Sequence, residues 1–365
     1  MENEILKIND VADVFSALPK INATATFWMV RANKGDYYLD FVMRQYVGIG
    51  FDEISLSEAQ EKTNEQLTTL FKQRKPKDEF GKEIPAGTYT TWVGQLKRFA
   101  NELKPGDYVL VPSDSSERFS FGVITDLPRE LTDSEVNEFS EVEGRKNSPY
   151  KKRLSVQFLK SFNRQDADPA LYKMIYTQTT LSKIDKYSAY ILRAAYDAYI
   201  SENNIFLSFP VKQKENIKGR PFTKFTYNLT EGFYELSKED LVIKSNVQSE
   251  GVVQLVLGLS AMSGLFLLLI VVLKSKKGFT VEANLRSGKF KFTKENDGIV
   301  AERILDSQQS RKITDQEADD AHLARTIAMM NTAGFSMEEI QAKISNELRE
   351  ATKKADSPDE ESDQD

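Results

Sequence analysis

The sequence predicts an α+β protein, with strands and helices interspersed in a larger N-terminal unit and a smaller α+β region behind it. Three observations carry this reading. From Phe27 to Phe51 a short aromatic strand ends in Arg31 and Gly35. A helix with Leu39, Phe41 and Val42 follows, and a second apolar strand runs from Tyr46 to Phe51. Tyr108 to Val111 and Phe119 to Thr125 read as a hairpin, and Arg153 to Phe162 alternates like a further strand. Val252 to Leu273 is then a 22-residue stretch without a charge.

Met1 to Lys20 is of mixed charge without a long apolar core, so it reads as a helical or extended arm and not as a secretory signal. Ser55 to Phe71 is a helix capped by Ser57, with an apolar stripe of Leu67, Leu70 and Phe71. Lys72 to Gly87 is a polar loop broken by Pro76, Gly81, Pro85 and Gly87, either solvated or tracking phosphate. Thr90 to Leu103 is an amphipathic helix through Trp92, Leu96, Phe99 and Leu103. Leu127 to Glu143 is acidic and loop-like, and Gly144 to Arg164 holds seven basic residues and no acid. Asp166 to Tyr199 reads as mostly helical. Ile205 to Lys212 is a strand, Phe222 to Leu236 a helix or long turn, and Asp240 to Val247 a strand. A hairpin spans Phe279 to Thr293, and helices cover Gly298 to Gln309, Asp315 to Met330 and Ser336 to Lys353, the last with a Ser336/Glu339 capping box. Ala355 to Asp365 carries six acids and no base, the composition of a disordered tail.

About 20 apolar residues in a helix span the hydrocarbon core of a bilayer. The run Val252 to Leu273, closed by Lys274, Lys276 and Lys277, is therefore expected to form a hydrophobic transmembrane helix. Partial insertion is one alternative. The other is a buried strand, Gly251 to Leu257, followed by a short helix from Ser260 to Leu273.

Composition removes several chemistries. There is no cysteine, hence no disulfide, thiolate nucleophile or cysteine-rich zinc site. His322 is the single histidine, so a multi-histidine metal centre is impossible. The net charge of −6 argues against general polyanion binding and confines any nucleic-acid contact to a local patch. No P-loop, dinucleotide glycine fingerprint or Gly-x-Ser-x-Gly elbow is present. The nearest approach to a nuclease core, Glu141-Val-Glu143-Gly-Arg145-Lys146, lacks apolar strand context. No catalytic residue, metal or cofactor is expected.

What remains is a binding surface. Trp28, Phe51, Trp92, Tyr108 and Phe121 are candidates to meet around one pocket, where each stacked base would contribute about 1–3 kcal/mol. Arg31 and Arg98 are candidates for a phosphate or base edge. Lys151, Lys152 and Arg153 form a basic patch on the strand that follows the acidic loop. Core packing is the competing reading for Trp92 and Phe99.

The order of these motifs is Trp28-Met-Val-Arg-Ala, Gly35, Val47-Gly-Ile-Gly-Phe51, Trp92-Val-Gly-Gln95-Leu-Lys-Arg98-Phe99, Gly106-Asp-Tyr-Val and Phe121-Gly-Val-Ile. Tyr150 to Phe158 and Thr180 to Ile184 then look like a closing segment. This series resembles the N-terminal domain of Mrr-type restriction-system proteins, akin to the EVE, YTH and PUA group, over roughly residues 24–200. The resemblance implies a PUA/EVE-like, partly closed β-barrel with flanking helices. It also implies recognition of DNA or a nucleotide, with a modified base held in an aromatic cage by Trp28, Arg31, Gly35, Phe51, Trp92, Gln95 and Arg98. Phe51 stands where the pattern has Trp, and Asn33 where it has Gly.

The expected organisation is an arm (1–23), the sensing domain (24–200), an α+β linker region (201–250), the hydrophobic membrane segment (251–274), a hairpin with helices (275–350) and the acidic tail (351–365). The expected role is a nucleic-acid or nucleotide sensor of a bacterial antiviral, restriction-like system. It would lie in the cytoplasm at the inner membrane, with itself or a defence-complex protein as partner. A membrane-associated scaffold and a cryptic nuclease are the alternatives.

Overall fold

A computed structural model describes residues 17–137, 146–176, 179–211, 216–237, 239–246, 251–258, 279–284 and 289–294, with isolated positions between 325 and 350. The chain is a mixed α+β protein that divides into two compact units: Thr24–Ala195, and a second made of Met1–Ala23 with Tyr196–Asp365.

Strand β1 (Lys20–Ile21) belongs to the second unit. The first unit opens with β2 (Phe27–Val30), α1 (Tyr38–Met43) and β3 (Tyr46–Ile49). Three helices come next: α2 (Leu56–Glu61), α3 (Asn64–Arg74) and α4 (Ala86–Asn101). The single helix expected from Ser55 to Phe71 is two, because the sequence carries a second start signal. Ser55 and Thr63 each form a capping box, with Glu58 and Gln66 reaching back to the cap.

A curled half-barrel sheet organises this unit. Its strands are β4 (Tyr108–Pro112), β5 (Arg118–Ile124), β6 (Arg129–Glu130), β7 (Lys152–Asn163) and β8 (Leu181–Lys183) together with β2 and β3. The order is β3-β7-β5-β4-β2-β8, with β6 also on β7; β2 and β4 are parallel and the other pairs antiparallel. Curling follows from β7, whose residues 152–155 pair with β3 and 156–163 with β5. The β5–β7 register shifts between Phe121 and Gly122, a bulge that bends the ladder. A Cβ at Gly122 would lie 2.7 Å from Val156 Cγ1 and 2.8 Å from the Gln157 carbonyl, so only glycine allows that approach.

The central strands β2, β4 and β5 are buried on both faces. Trp28, Val30, Val109, Val111, Ile124, Leu154 and Val156 join one core with Phe41, Leu67, Phe71, Val93, Leu96 and Phe99 of the helices. On the opposite face Phe27, Tyr108 and Phe121 pack together, with ring centroids 5.0–6.0 Å apart. Period-2 alternation places the neighbours Phe27 and Trp28 in different layers. Each buried side chain of this size stabilises by roughly 1.5–3 kcal/mol relative to exposure.

The segment expected to be mostly helical, 166–199, is more broken. It contains α6 (Tyr172–Ile175), β8 and α7 (Ser188–Ala195), and α5 (Asp133–Asn137) precedes it in the acidic region. Leu181–Lys183 is a strand because it pairs antiparallel with β2 as the sheet edge; tertiary pairing overrides the weak local preference.

In the second unit, β9 (Ala198–Ser201), β10 (Asn204–Val211), β11 (Val242–Asn246) and β12 (Gly251–Gly258) join β1 in the order β1-β9-β10-β12-β11. Helix α8 (Gly219–Ser237) packs on this sheet: its Phe225, Leu229 and Phe233 are buried, and Phe225 meets Phe209 edge-on at 6.4 Å. β13 (Phe279–Asn284) and β14 (Lys289–Lys294) form the expected hairpin.

The expected transmembrane helix over 252–273 is corrected here. Residues 252–258 lie in β12, hydrogen-bonded to β10 on one side and β11 on the other. Val253, Leu255 and Leu257 are buried there, and Gln254 Nε2 donates to Ser208 Oγ across the ladder at 3.2 Å. The stretch is apolar because it is a central strand whose Val253, Leu255 and Leu257 stand opposite the buried Phe209, Leu207 and Ile205 of β10. The rest of the apolar run, 259–273, is 15 residues, short of a spanning helix, and lies outside the described residues. No helix among the described residues is long and apolar enough to cross a membrane. The helices expected after 298 and the acidic tail also fall outside them, apart from a few isolated helical positions.

Candidate ligand-binding site

Parallel neighbours β2 and β4 send their C-terminal ends in one direction, so the loops beyond them meet. After β2 come Arg31, Ala32 and a 3-10 turn, Asn33–Gly35; after β4 come Ser113 and a second turn, Asp114–Ser116. Both turns use left-handed backbone: Asn33 (φ 50°), Lys34 (57°) and Gly35 (106°) face Ser115 (51°) and Ser116 (55°). A Cβ on Gly35 would fall 2.2 Å from the Asp114 nitrogen, which accounts for glycine at the point of closest approach. The cavity between the loops is about 320 Å³, lined by Arg31, Lys34, Gly35, Asp114 and the serines 113, 115 and 116.

Arg31 is the chemical centre of this cavity. Its Nη2 donates to the Ile175 carbonyl, while its Nε is buried with no hydrogen-bond partner. Burial lowers the pKa of the guanidinium, though arginine stays charged. A buried donor without an acceptor is uncommon, and this one has an open position for a water or a ligand atom. With Lys34 it supplies positive charge, and Asp114 and the serine hydroxyls can accept from, or donate to, a polar ligand.

The structure does not gather the other sequence-predicted residues here. Trp28 is 1% exposed, and its Nε1–H donates to Asp107 Oδ2 at 3.1 Å. Asp107, also buried, takes Thr26 N–H at 3.0 Å and Lys104 N–H at 3.4 Å; the Gly106-Asp107 motif is thus a structural hub. Tyr108 and Phe121 lie in the opposite aromatic layer. Gln95 is buried and its Oε1 accepts from Leu181 N–H at 3.0 Å, holding the edge strand β8. Phe51 and Trp92, both half-buried, pack on the edge of the Trp28 core against Phe71 and Tyr89, at centroid distances of 5.7–6.1 Å. Arg98 is exposed on α4. One common aromatic pocket is therefore corrected to two packed layers, with Phe51 and Trp92 at the edge of one of them. The cause is that the central strands β2, β4 and β5 are buried on both faces, which takes large apolar side chains at successive positions whether or not the sheet binds anything.

The basic patch is corrected as well. Lys151 is partly exposed and pairs with Asp133 at 2.7 Å. Lys152 is fully buried, donating to the Phe51 carbonyl at 3.1 Å and pairing with Asp52 (3.2 Å) and Glu130 (3.4 Å). Arg153 is 3% exposed, with Nε on the Tyr150 carbonyl and Nη2 on that of Ser148. Their charges brace β7 against its neighbours and make no continuous exposed stripe.

The Ser113–Ser116 loop escaped the sequence reading. Its visible trace was the turn-forming run Pro112-Ser-Asp-Ser-Ser116 between two apolar strands. No group of acids and histidines able to hold a metal occurs among the described residues; His322 and Glu143 lie outside them.

A family model described as a domain of unknown function (DUF8426) matches residues 28–185, within the first unit, so this stretch is similar to that family. No curated protein and no solved structure matches the chain.

Proposed function

We propose that the unit Thr24–Ala195 binds a nucleic acid or nucleotide at the Arg31 cavity, and that the protein is the sensing component of a restriction-like antiviral system without a catalytic site of its own. The observation that carries this reading is the buried Arg31 Nε, unpartnered beside a polar cavity with Lys34 and three serines. The motif series that resembles the Mrr-type and EVE/YTH/PUA modules supports the ligand class, DNA or a nucleotide with a modified base among the candidates. The fold of those modules, a PUA-like partly closed barrel, belongs to the same proposal. So does attachment of an otherwise cytoplasmic protein to the inner membrane through the apolar residues 259–273 and the lysines 274, 276 and 277.

The test compares wild-type protein with Arg31→Gln, using DNA oligonucleotides with and without modified bases and free nucleotides, over a salt series. Binding is expected to weaken at least tenfold in the variant while the fold is kept. Equal affinity sinks the site. Vesicle flotation reads the membrane part.

A scaffold role is the second reading. It is favoured by Tyr227 and Tyr234, 59% and 45% exposed at seven-residue spacing on α8. A scaffold shows no salt-sensitive nucleic-acid affinity in the same experiment.

A further inference from the structure

A second cavity, sharing no residue with the first, lies where three elements bring arginines together. Arg44 and Gln45 form the turn between α1 and β3, with Gln45 at φ 55°. Tyr46 opens β3 and stands opposite Ser155 on β7; two positions back, Arg153 of β7 stands directly opposite Arg129 of β6. Arg44, Gln45, Tyr46, Arg129, Arg153 and Ser155 line a cavity of about 120 Å³, and no carboxylate lines it among the described residues.

Two of the three guanidiniums are fixed from behind. Arg153 is held by the Tyr150 and Ser148 carbonyls at 2.8 and 3.0 Å and lies 4.1 Å over the Tyr46 ring. Arg44 pairs with buried Asp40 at 3.2 Å and donates to Asn147 Oδ1 at 3.3 Å. Asp40 Oδ2 also accepts from Tyr46 and from Ser148 N–H, so this carboxylate is committed to the scaffold. Arg129 is exposed. Glu135 is held below the usual carboxylate range first by the Thr132 N–H and hydroxyl, at 2.7 and 2.8 Å, and only last by the charge of Arg129. Like charges directly opposite on a ladder are unfavourable. Burial lowers the pKa of Arg153, and the charges of Arg44 and Arg129 act in the same direction, against those of Tyr46 and Asp40. An anion between them relieves this repulsion, and planar forks suit tetrahedral oxyanions.

We infer that Arg44, Arg129 and Arg153, with Gln45 and Ser155, form a binding site for a phosphate group. The cavity is below the roughly 300–1,000 Å³ of sites that enclose whole small molecules, and it suits a single oxyanion. That phosphate is either free or part of a nucleic-acid strand; the recognition chemistry is the same. None of these residues contributes to the Arg31 cavity, so the two sites stand or fall separately.

Full-length protein is titrated by calorimetry with inorganic phosphate at constant ionic strength, and separately with a single-stranded oligonucleotide over a salt series. Arg129→Gln is the working variant, because that side chain is exposed; Lys104→Gln, on an exposed turn, controls for the loss of one charge. Phosphate binding is expected in wild type and Lys104→Gln and at least tenfold weaker in Arg129→Gln. If the phosphate belongs to a strand, Arg129→Gln also reduces the slope of log K against log salt by about one. If it is free, that slope is unchanged and phosphate affinity alone falls. Wild-type protein that binds neither probe overturns the inference, as does an Arg129→Gln protein that binds both as wild type does.

Discussion

Trp28 is the residue at which a structural and a binding role predict opposite results. Its indole is 1% exposed, and its N–H is one of three donors to the buried carboxylate of Asp107. Trp28→Phe keeps most of the ring volume and removes that donor. Asp107 retains two backbone N–H groups, so the penalty is that of one charge-assisted hydrogen bond, about 2 kcal/mol. Trp28→Ala adds a large cavity, about 3–5 kcal/mol, and brings the total close to the whole stability of an ordinary domain. For a unit of this size, 2 kcal/mol lowers Tm by about 4–8 °C. The chain has two tryptophans, Trp28 and Trp92, both in the first unit. Fluorescence of Trp92 therefore follows urea unfolding of that unit in the variants. Combining Trp28→Phe with Asp107→Asn should cost less than the sum of the two single changes, since they share one interaction. A Phe variant within about 0.5 kcal/mol of wild type, or an Ala variant as stable as wild type that has lost ligand affinity, would refute the reasoning and restore Trp28 to a binding pocket.

Lys152→Ala should destabilise by about 3–5 kcal/mol, because it strands Asp52 and Glu130 around a buried gap, whereas Lys152→Met, which keeps the stem, should lose about 1–3 kcal/mol; urea melts distinguish them. Leu255→Lys places a charge in a fully buried position of β12 and should unfold the second unit, seen as new protease cleavage, with membrane flotation dropping only as a consequence. The Glu58 carboxyl is held at about 2, chiefly by hydrogen bonds from Arg74 and then from Ser55 N–H. Its folded value is below its unfolded one, so its contribution is complete above pH about 4.5 and is lost as pH falls towards 2. The stability gap between wild type and Arg74→Gln should accordingly be open at pH 7 and close across that window; a gap unchanged at pH 3 would remove Arg74 as the cause.

Much of the fold was legible because it rests on local pattern. The 108–124 hairpin, the strand at 152–163, helix α4 and the 279–294 hairpin all follow from alternation, 3.6-residue spacing and turn residues. Arg31 and Gly35 were also readable, since a charge and a glycine at a strand end have few packing uses. The Arg44–Arg129–Arg153 cavity was not, because its members are spread over about 110 residues and only the registers of β3, β6 and β7 bring them together.

By itself the sequence determined the α+β class, the absence of cysteine chemistry and most strand and helix positions, for these depend on composition and near neighbours. Only the tertiary structure decided what the apolar and charged residues are for. Residues 252–258 are a strand because β10 and β11 lie on either side, and Lys152 is internal because Asp52 and Glu130 meet it there. Trp28, Tyr108 and Phe121 are packing because their strands, β2, β4 and β5, are buried on both faces. Burial and pairing are long-range properties, and a residue type carries no record of which partner will reach it.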